Sequence, residues 1–213
     1  RSIGVDVNIS TQMSISNTEA VRFYSQFADV VVLARELTLE QMKEIAGDIR
    51  REKIVGPKGE LVKLEVFAHG ALCVAVGGRC GMSLYSTNTS ANKGKCSQVC
   101  RRTFTVKDDQ TGQQMTLDNN YLMSTADLCT VGMMRELIDA GVSILKFEGR
   151  GRPPEYVDTV IRTYRDVLNS IEDGTYSSDK VMEWNKTLGT VFNRGLSDGF
   201  YRGKKFYEWS GVY

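Results

Sequence analysis

The chain has a single histidine, His69, in 213 residues. That scarcity excludes whole classes of chemistry. There is no His-Glu-x-x-His pattern for a zinc protease, and any imidazole proton transfer has to pass through His69. Acids are missing from one long segment. Between Val66 and Lys107 there is no Asp or Glu, yet Arg79, Lys93, Lys95, Arg101, Arg102 and Lys107 all fall there. A chain of net charge +1 therefore concentrates a local charge of +6 in one place. No apolar run approaches about 18 residues, so no membrane-spanning helix is expected. The start lacks a signal-peptide pattern, and no repeat or low-complexity tract is present. The chain opens Arg1-Ser-Ile-Gly4 with no initiator methionine and runs almost at once into a strand pattern. Such a start suggests a fragment or a processed product.

The remaining composition, 41% hydrophobic and 25% charged, is that of an ordinary globular protein. The length fits one domain or slightly more. Periodicity and capping signals predict alternating elements. A strand at 5–9 precedes a helix from Ser16 to about Ala28, with Glu19 three residues after its cap. A continuous apolar run at 29–34 reads as a buried strand. Thr38 and Gln41 start a helix to about Arg51, and a strand follows at 61–67. A long segment, 70–130, interrupts the alternation. It resumes with a helix at 131–140, a strand at 142–147, a helix opened by Pro153-Pro154 and ending near Glu172, and a helix from Asp179 to about Leu188. Strands alternating with helices predict a parallel sheet. The expected division is residues 1–175 with the 70–130 insertion, then 176–213 as a helix and a Gly- and aromatic-rich tail.

Each strand ends in polar residues: Gln12, Arg35 and Glu36, His69, and Glu148 with Arg150. Ligand sites of parallel α/β folds lie at the carboxyl ends of the strands, so these side chains are expected on one rim. Arg35, Lys146, Arg150 and Arg152 can grip carboxylates or phosphates there. Glu65, Phe67 and His69 alternate along one strand face.

The five cysteines are spaced Cys73-x6-Cys80-x15-Cys96-x3-Cys100-x28-Cys129. With no secretion signal, clustered cysteine points to metal or redox chemistry rather than disulfides. Three readings compete: unrelated small buried residues, structural zinc, and an iron–sulfur cluster. Only Cys96 and Cys100 have a usual zinc spacing. A cluster needs four thiolates and tolerates irregular loops, and the basic surroundings stabilise thiolates. Spacing alone leaves the three open.

The run Glu65-Val-Phe-Ala-His69-Gly-Ala-Leu-Cys73, followed by Gly78-x-Cys80 and Ser83, resembles the signature of the peptidase U32 family. Similar segments recur outside it: Ser10-Thr-Gln12, Leu33-Ala-Arg-Glu36, Gly94-x-Cys96-x3-Cys100-Arg101, Asp127-Leu-Cys129, Lys146-Phe-Glu-Gly-Arg150 and Asn193-Arg-Gly195. The resemblance covers nearly the whole chain. It implies a TIM-type barrel of which this chain holds the fifth to eighth strands. The missing half, or a second chain, would then be needed to close the fold. It also implies a [4Fe-4S] cluster on Cys73, Cys80, Cys96 and Cys129, with Cys100 as alternative ligand. The implied activity is oxygen-independent hydroxylation of an RNA pyrimidine, in the cytoplasm, with RNA as partner and a small carboxylate as a candidate co-substrate.

The family's name gives the competing reading, a collagenase-like peptidase, with Cys73 and His69 as the conceivable pair. A third is a non-catalytic iron–sulfur partner subunit. His69, Glu148 and Glu36 are the candidates for proton transfer. Gln12, Arg35, Lys146, Arg150, Arg152, Arg101 and Arg102 are the candidates for substrate binding. The blander assignments are a packed turn histidine, carboxylates paired to neighbouring arginines, and a solvated basic loop.

Overall fold

The computed structural model describes residues 5–115 and 123–203. The end of the expected tail, 204–213, and part of the insertion lie outside the described residues. The strands are β1 (Asn8–Ile9), β2 (Val30–Val32), β3 (Lys63–Gly70), β4 (Val106–Lys107), β5 (Gln114–Met115), β6 (Asp127–Cys129), β7 (Ile144–Phe147) and β8 (Leu196–Ser197). The α-helices are α1 (Thr18–Ser25), α2 (Leu39–Arg51), α3 (Gly81–Thr87), α4 (Met134–Asp139), α5 (Pro154–Glu172) and α6 (Ser178–Leu188).

Local chemistry sets the helix starts. Thr38 and Gln41 form the expected capping box at α2, which satisfies two backbone donors reciprocally. Proline opens α5, where its missing N–H costs nothing. Helix α1 starts later than expected. Asn17, not Ser16, is its cap, and the Asn17 side chain accepts from Ala20 N–H at 2.8 Å.

Four strands run parallel in the order β1, β2, β3, β7. Their registers place Ile9, Val31, Leu64, Val66 and Leu145 on one face. That face packs with Met42, Ile45 and Ile49 of α2, Leu137 of α4, and Val160, Tyr164 and Val167 of α5 in one apolar core. Each such fully buried side chain stabilises the fold by about 1.5–3 kcal/mol. The opposite face carries Val32, Glu65, Phe67, Ile144 and Lys146.

The α/β class and the mostly parallel sheet follow the sequence pattern. The barrel does not: among the described residues, β1 and β7 each pair on one side only, and the sheet stays open. Four short strands were also missed, β4 and β5 of a separate antiparallel pair and two of the main sheet. β6 pairs antiparallel with the end of β3, and β8 runs parallel to β6. Both are two- or three-residue strands, too short to show a period in sequence. The insertion is therefore structured, containing α3, the β4–β5 pair and β6. No helix among the described residues is long and apolar enough to cross a membrane.

Candidate metal centre and its basic rim

Beyond β3 the chain turns through Gly70, at φ +111°, into the first cysteine. The Cys73 sulfur accepts from Ala75 N–H at 3.4 Å. Cys80 caps α3, its sulfur accepting from Ser83 N–H at 3.3 Å. Hydroxyls of Thr87, Thr89 and Ser97 then tie the end of α3 to the loop beside Cys96, with separations of 2.7 and 3.0 Å from Thr87. Cys96 is exposed and Cys100 half-buried. Burial pushes the Cys100 thiol up, Arg101 opposes the rise, and the charges of Cys73, Cys96 and Cys80 add to it.

Cys129, the fourth ligand that the resemblance implies, comes from a different segment. It is buried on β6 directly opposite His69, and opposed residues of an antiparallel pair share a face. Its sulfur lies 3.9 Å from the Tyr164 hydroxyl and 3.6 Å from the Asn185 side-chain oxygen. Burial raises its pKa. It lines a cavity of about 250 Å³ with Met133, Leu196 and Arg202.

Arg101 was expected to face substrate. Instead its guanidinium donates to Leu72 O at 2.7 Å, Thr125 O at 2.7 Å and Ser124 Oγ at 2.8 Å. Thr125 Oγ1 donates to the same Leu72 carbonyl at 2.9 Å. The side chain thereby locks the Cys100 segment to the residue preceding Cys73. Arg102 next to it is exposed.

His69 was expected on the rim face with Glu65 and Phe67. A register shift between Phe67 and His69 moves it to pair with Phe147, while Phe67 pairs with Lys146. One extra residue reverses the side-chain alternation, so His69 faces α5. There its ring lies 5.6 Å from Tyr164 and 6.1 Å from Tyr156. It is 2% exposed, and burial lowers its pKa to about 4. It is a neutral, packed residue at neutral pH.

The candidate acids hold backbone. Glu148 Oε1 accepts from Arg150 N–H at 2.8 Å. Glu36 Oε1 accepts from Gly77 N–H at 2.9 Å, linking the end of β2 to the loop between Cys73 and Cys80. Replacing Glu36 with alanine should cost about 1–2 kcal/mol in urea unfolding by orphaning that amide, and glutamine, which keeps an acceptor, should cost less.

Gln12 lies half-buried in a single helical turn, 11–13. Arg35 and Lys146 are brought together: their cationic groups sit 5.1 and 5.6 Å from the Phe67 ring centre, and Lys146 is 3.3 Å from the Glu65 carboxylate. Arg150 is exposed, 3.4 Å from Gly94 O. Arg152 departs from them to approach Asp127, at 3.8 Å. The sequence reading missed Asp127 and Arg194 as functional positions, although the segments Asp127-Leu-Cys129 and Asn193-Arg-Gly195 carry them.

The model of peptidase family U32 matches residues 1–211. The chain belongs to that family. Over 211 residues it is 51% identical to a collagenase of Porphyromonas gingivalis, covering 99% of this chain and 51% of that protein. It is 32% identical to tRNA hydroxylation protein P1 of Bacillus subtilis, covering 96% and 47% of the two chains. It is 35% identical to the 23S rRNA 5-hydroxycytidine C2501 synthase of Escherichia coli, covering 94% and 30%. This U32 chain spans about half the length of the collagenase and tRNA hydroxylation relatives. No solved structure matches it.

Proposed function

We propose that this U32 chain belongs to a protein that holds a [4Fe-4S] cluster and hydroxylates a pyrimidine of RNA without dioxygen. The observation that carries the reading is the placement of Cys73, Cys80, Cys96 and Cys100 in one segment without acids, with Cys129 on the strand that pairs with the end of β3. The donor set fits: four sulfurs for four irons, with cations nearby that favour thiolates. Zinc fits less well: only Cys96 and Cys100 have a usual zinc spacing. When bound, the cluster would supply redox chemistry. The protein's own residues position it: Arg101 joins the Cys73 and Cys100 segments, and Glu36 anchors the loop between Cys73 and Cys80. Exposed Arg79, Lys93, Lys95 and Arg102 offer RNA phosphates a basic approach. The relatives named for tRNA and rRNA hydroxylation support this substrate class, and a cytoplasmic location belongs to the same reading.

The same reading makes β1, β2, β3 and β7, with α1, α2, α4 and α5, four consecutive units of a TIM-type barrel. The relatives' greater length would provide the rest.

Anaerobic purification should yield a brown protein with about four iron and four sulfide per chain. Serine at 73, 80, 96 or 129 should each abolish iron binding, while Cys100→Ser keeps it. Iron lost at 100 and kept at 129 would make Cys100 the fourth ligand instead. A colourless protein with one zinc would end the cluster reading. RNA from cells lacking the protein should lose one pyrimidine hydroxyl by mass spectrometry, and an unchanged spectrum counts against the substrate. The collagenase relatives favour a second reading, proteolysis. Cleavage of gelatin that is lost in Cys73→Ser while iron is retained would establish it.

A further inference from the structure

Two glycine-bearing loops deliver arginines to one buried carboxylate. In the first, which follows β7, Gly151 takes φ +71°, and Arg152 N–H closes onto Gly149 O at 3.0 Å. In the second, which precedes β8, Asn193 builds the turn: its amide donates to Val191 O at 2.9 Å and accepts from Gly195 N–H at 3.1 Å. Gly195, at φ +79°, then passes its carbonyl to Asp127 N–H at 2.8 Å. The Arg152 and Arg194 guanidiniums end 3.8 and 3.5 Å from the Asp127 carboxylate. Both also lie over the Phe192 ring, at 4.0 and 4.9 Å from its centre.

The balance of charge and hydrogen bonding at this point is incomplete. The two side chains are 14% and 12% exposed, and that of Asp127 is 1% exposed. Two guanidiniums offer about ten N–H donors. Among the described residues, Arg194 makes one side-chain hydrogen bond, at 3.5 Å. Arg152 makes none within that distance. Buried charged donors without acceptors are costly, and Arg194, Arg101 and Arg152 all act on the one Asp127 carboxylate, whose pKa burial raises. Asp127 Oδ2 is itself buried without a hydrogen bond. Burial and the neighbouring Arg194 both lower the Arg152 pKa, in keeping with surplus positive charge.

We infer that Arg152 and Arg194, steadied by Asp127 and Phe192, form a binding site for an oxyanion, a phosphate or a carboxylate. Planar guanidiniums match both groups bidentately. Asp127 orients the pair and leaves one net positive charge for the ligand. The site is separate from the Arg35–Lys146 pair on Phe67 and from the exposed cations of the insertion. It does not depend on the RNA reading, because its test is binding and not turnover.

The test is calorimetric titration of the intact protein with inorganic phosphate, with sodium chloride at equal ionic strength as the blank. Saturable binding is expected. Arg152→Ala and Arg194→Ala should each weaken it at least about tenfold, and Arg162→Ala, on the exposed side of α5, should leave it unchanged. Arg194→Lys keeps the charge that faces Asp127, and so the fold, but loses the fork; about threefold to tenfold weaker binding is expected. Phosphate affinity that is equal in wild type and both Arg194 variants would overturn the assignment, as would heat that chloride reproduces. Succinate and a 5′-phosphorylated dinucleotide identify the source: tighter binding of succinate assigns a small carboxylate, tighter binding of the dinucleotide an RNA phosphate.

Discussion

Gly70→Ala should destabilise the protein by about 3 kcal/mol or more, well beyond what loss of a glycine alone costs. Two effects add. Gly70 sits at φ +111°, a conformation that non-glycine residues occupy at a cost of about 1–3 kcal/mol. A Cβ there would also stand 2.5 Å from Glu148 O and 2.9 Å from Glu148 Cβ. The obstacle is backbone, so it cannot rotate away. Glu148 N–H donates to His69 O at 2.9 Å, so moving residue 148 pulls the ends of β3 and β7 apart. The loop that presents Arg152 begins at that point. Gly59→Ala is the control: it shares a positive φ, +80°, but a Cβ there meets nothing within 4 Å. Urea unfolding of the two variants separates conformational strain from collision. Equal losses would show that the close approach at Glu148 carries no energy.

Arg101→Ala is expected to cost about 3 kcal/mol and to release most of the bound iron. The side chain fills three acceptors, two of them carbonyls of segments far apart in sequence. Hydrogen bonds to a charged donor contribute about 1.5–3 kcal/mol each, and removal takes that donor from Thr125 O and from Leu72 O, while Leu72 O keeps its bond from Thr125 Oγ1. Values of this kind do not add fully, because all three bonds share one side chain. Lysine in its place supplies charge without the planar fork, so Arg101→Lys should recover only part of the stability. Iron content per folded chain, measured beside urea unfolding, discriminates the roles. A surface RNA contact would leave both unchanged on mutation and alter only RNA affinity. A clamp on the thiol segments changes both.

Much of the architecture was legible along the chain. The capping box at Thr38 and Gln41, the proline pair at 153–154, and the buried run at 29–34 are local signals, and local signals survive folding. The parallel order β1, β2, β3, β7 follows from strands separated by helices. What escaped was short or irregular. β6 and β8 are two or three residues long, and their pairing is set by contacts far along the chain. The bulge after Phe67 has no sequence signature, yet it decides which way His69 points. Alternation was extended one residue too far, and a candidate rim acid became a packed neutral ring.

The site divides along the same line. Residue types and spacing along the chain were enough to determine the family and the cysteine-rich basic segment without acids. These depend on composition and on patterns a few residues wide. Only the tertiary structure decided that Cys129 stands opposite His69 at the end of β3. It alone turned Arg101 inward as a clamp and brought Arg152 and Arg194 onto Asp127. Each of those outcomes rests on where a side chain points after segments 20 to 70 residues apart have packed, and strand register and positive-φ glycines fix that direction.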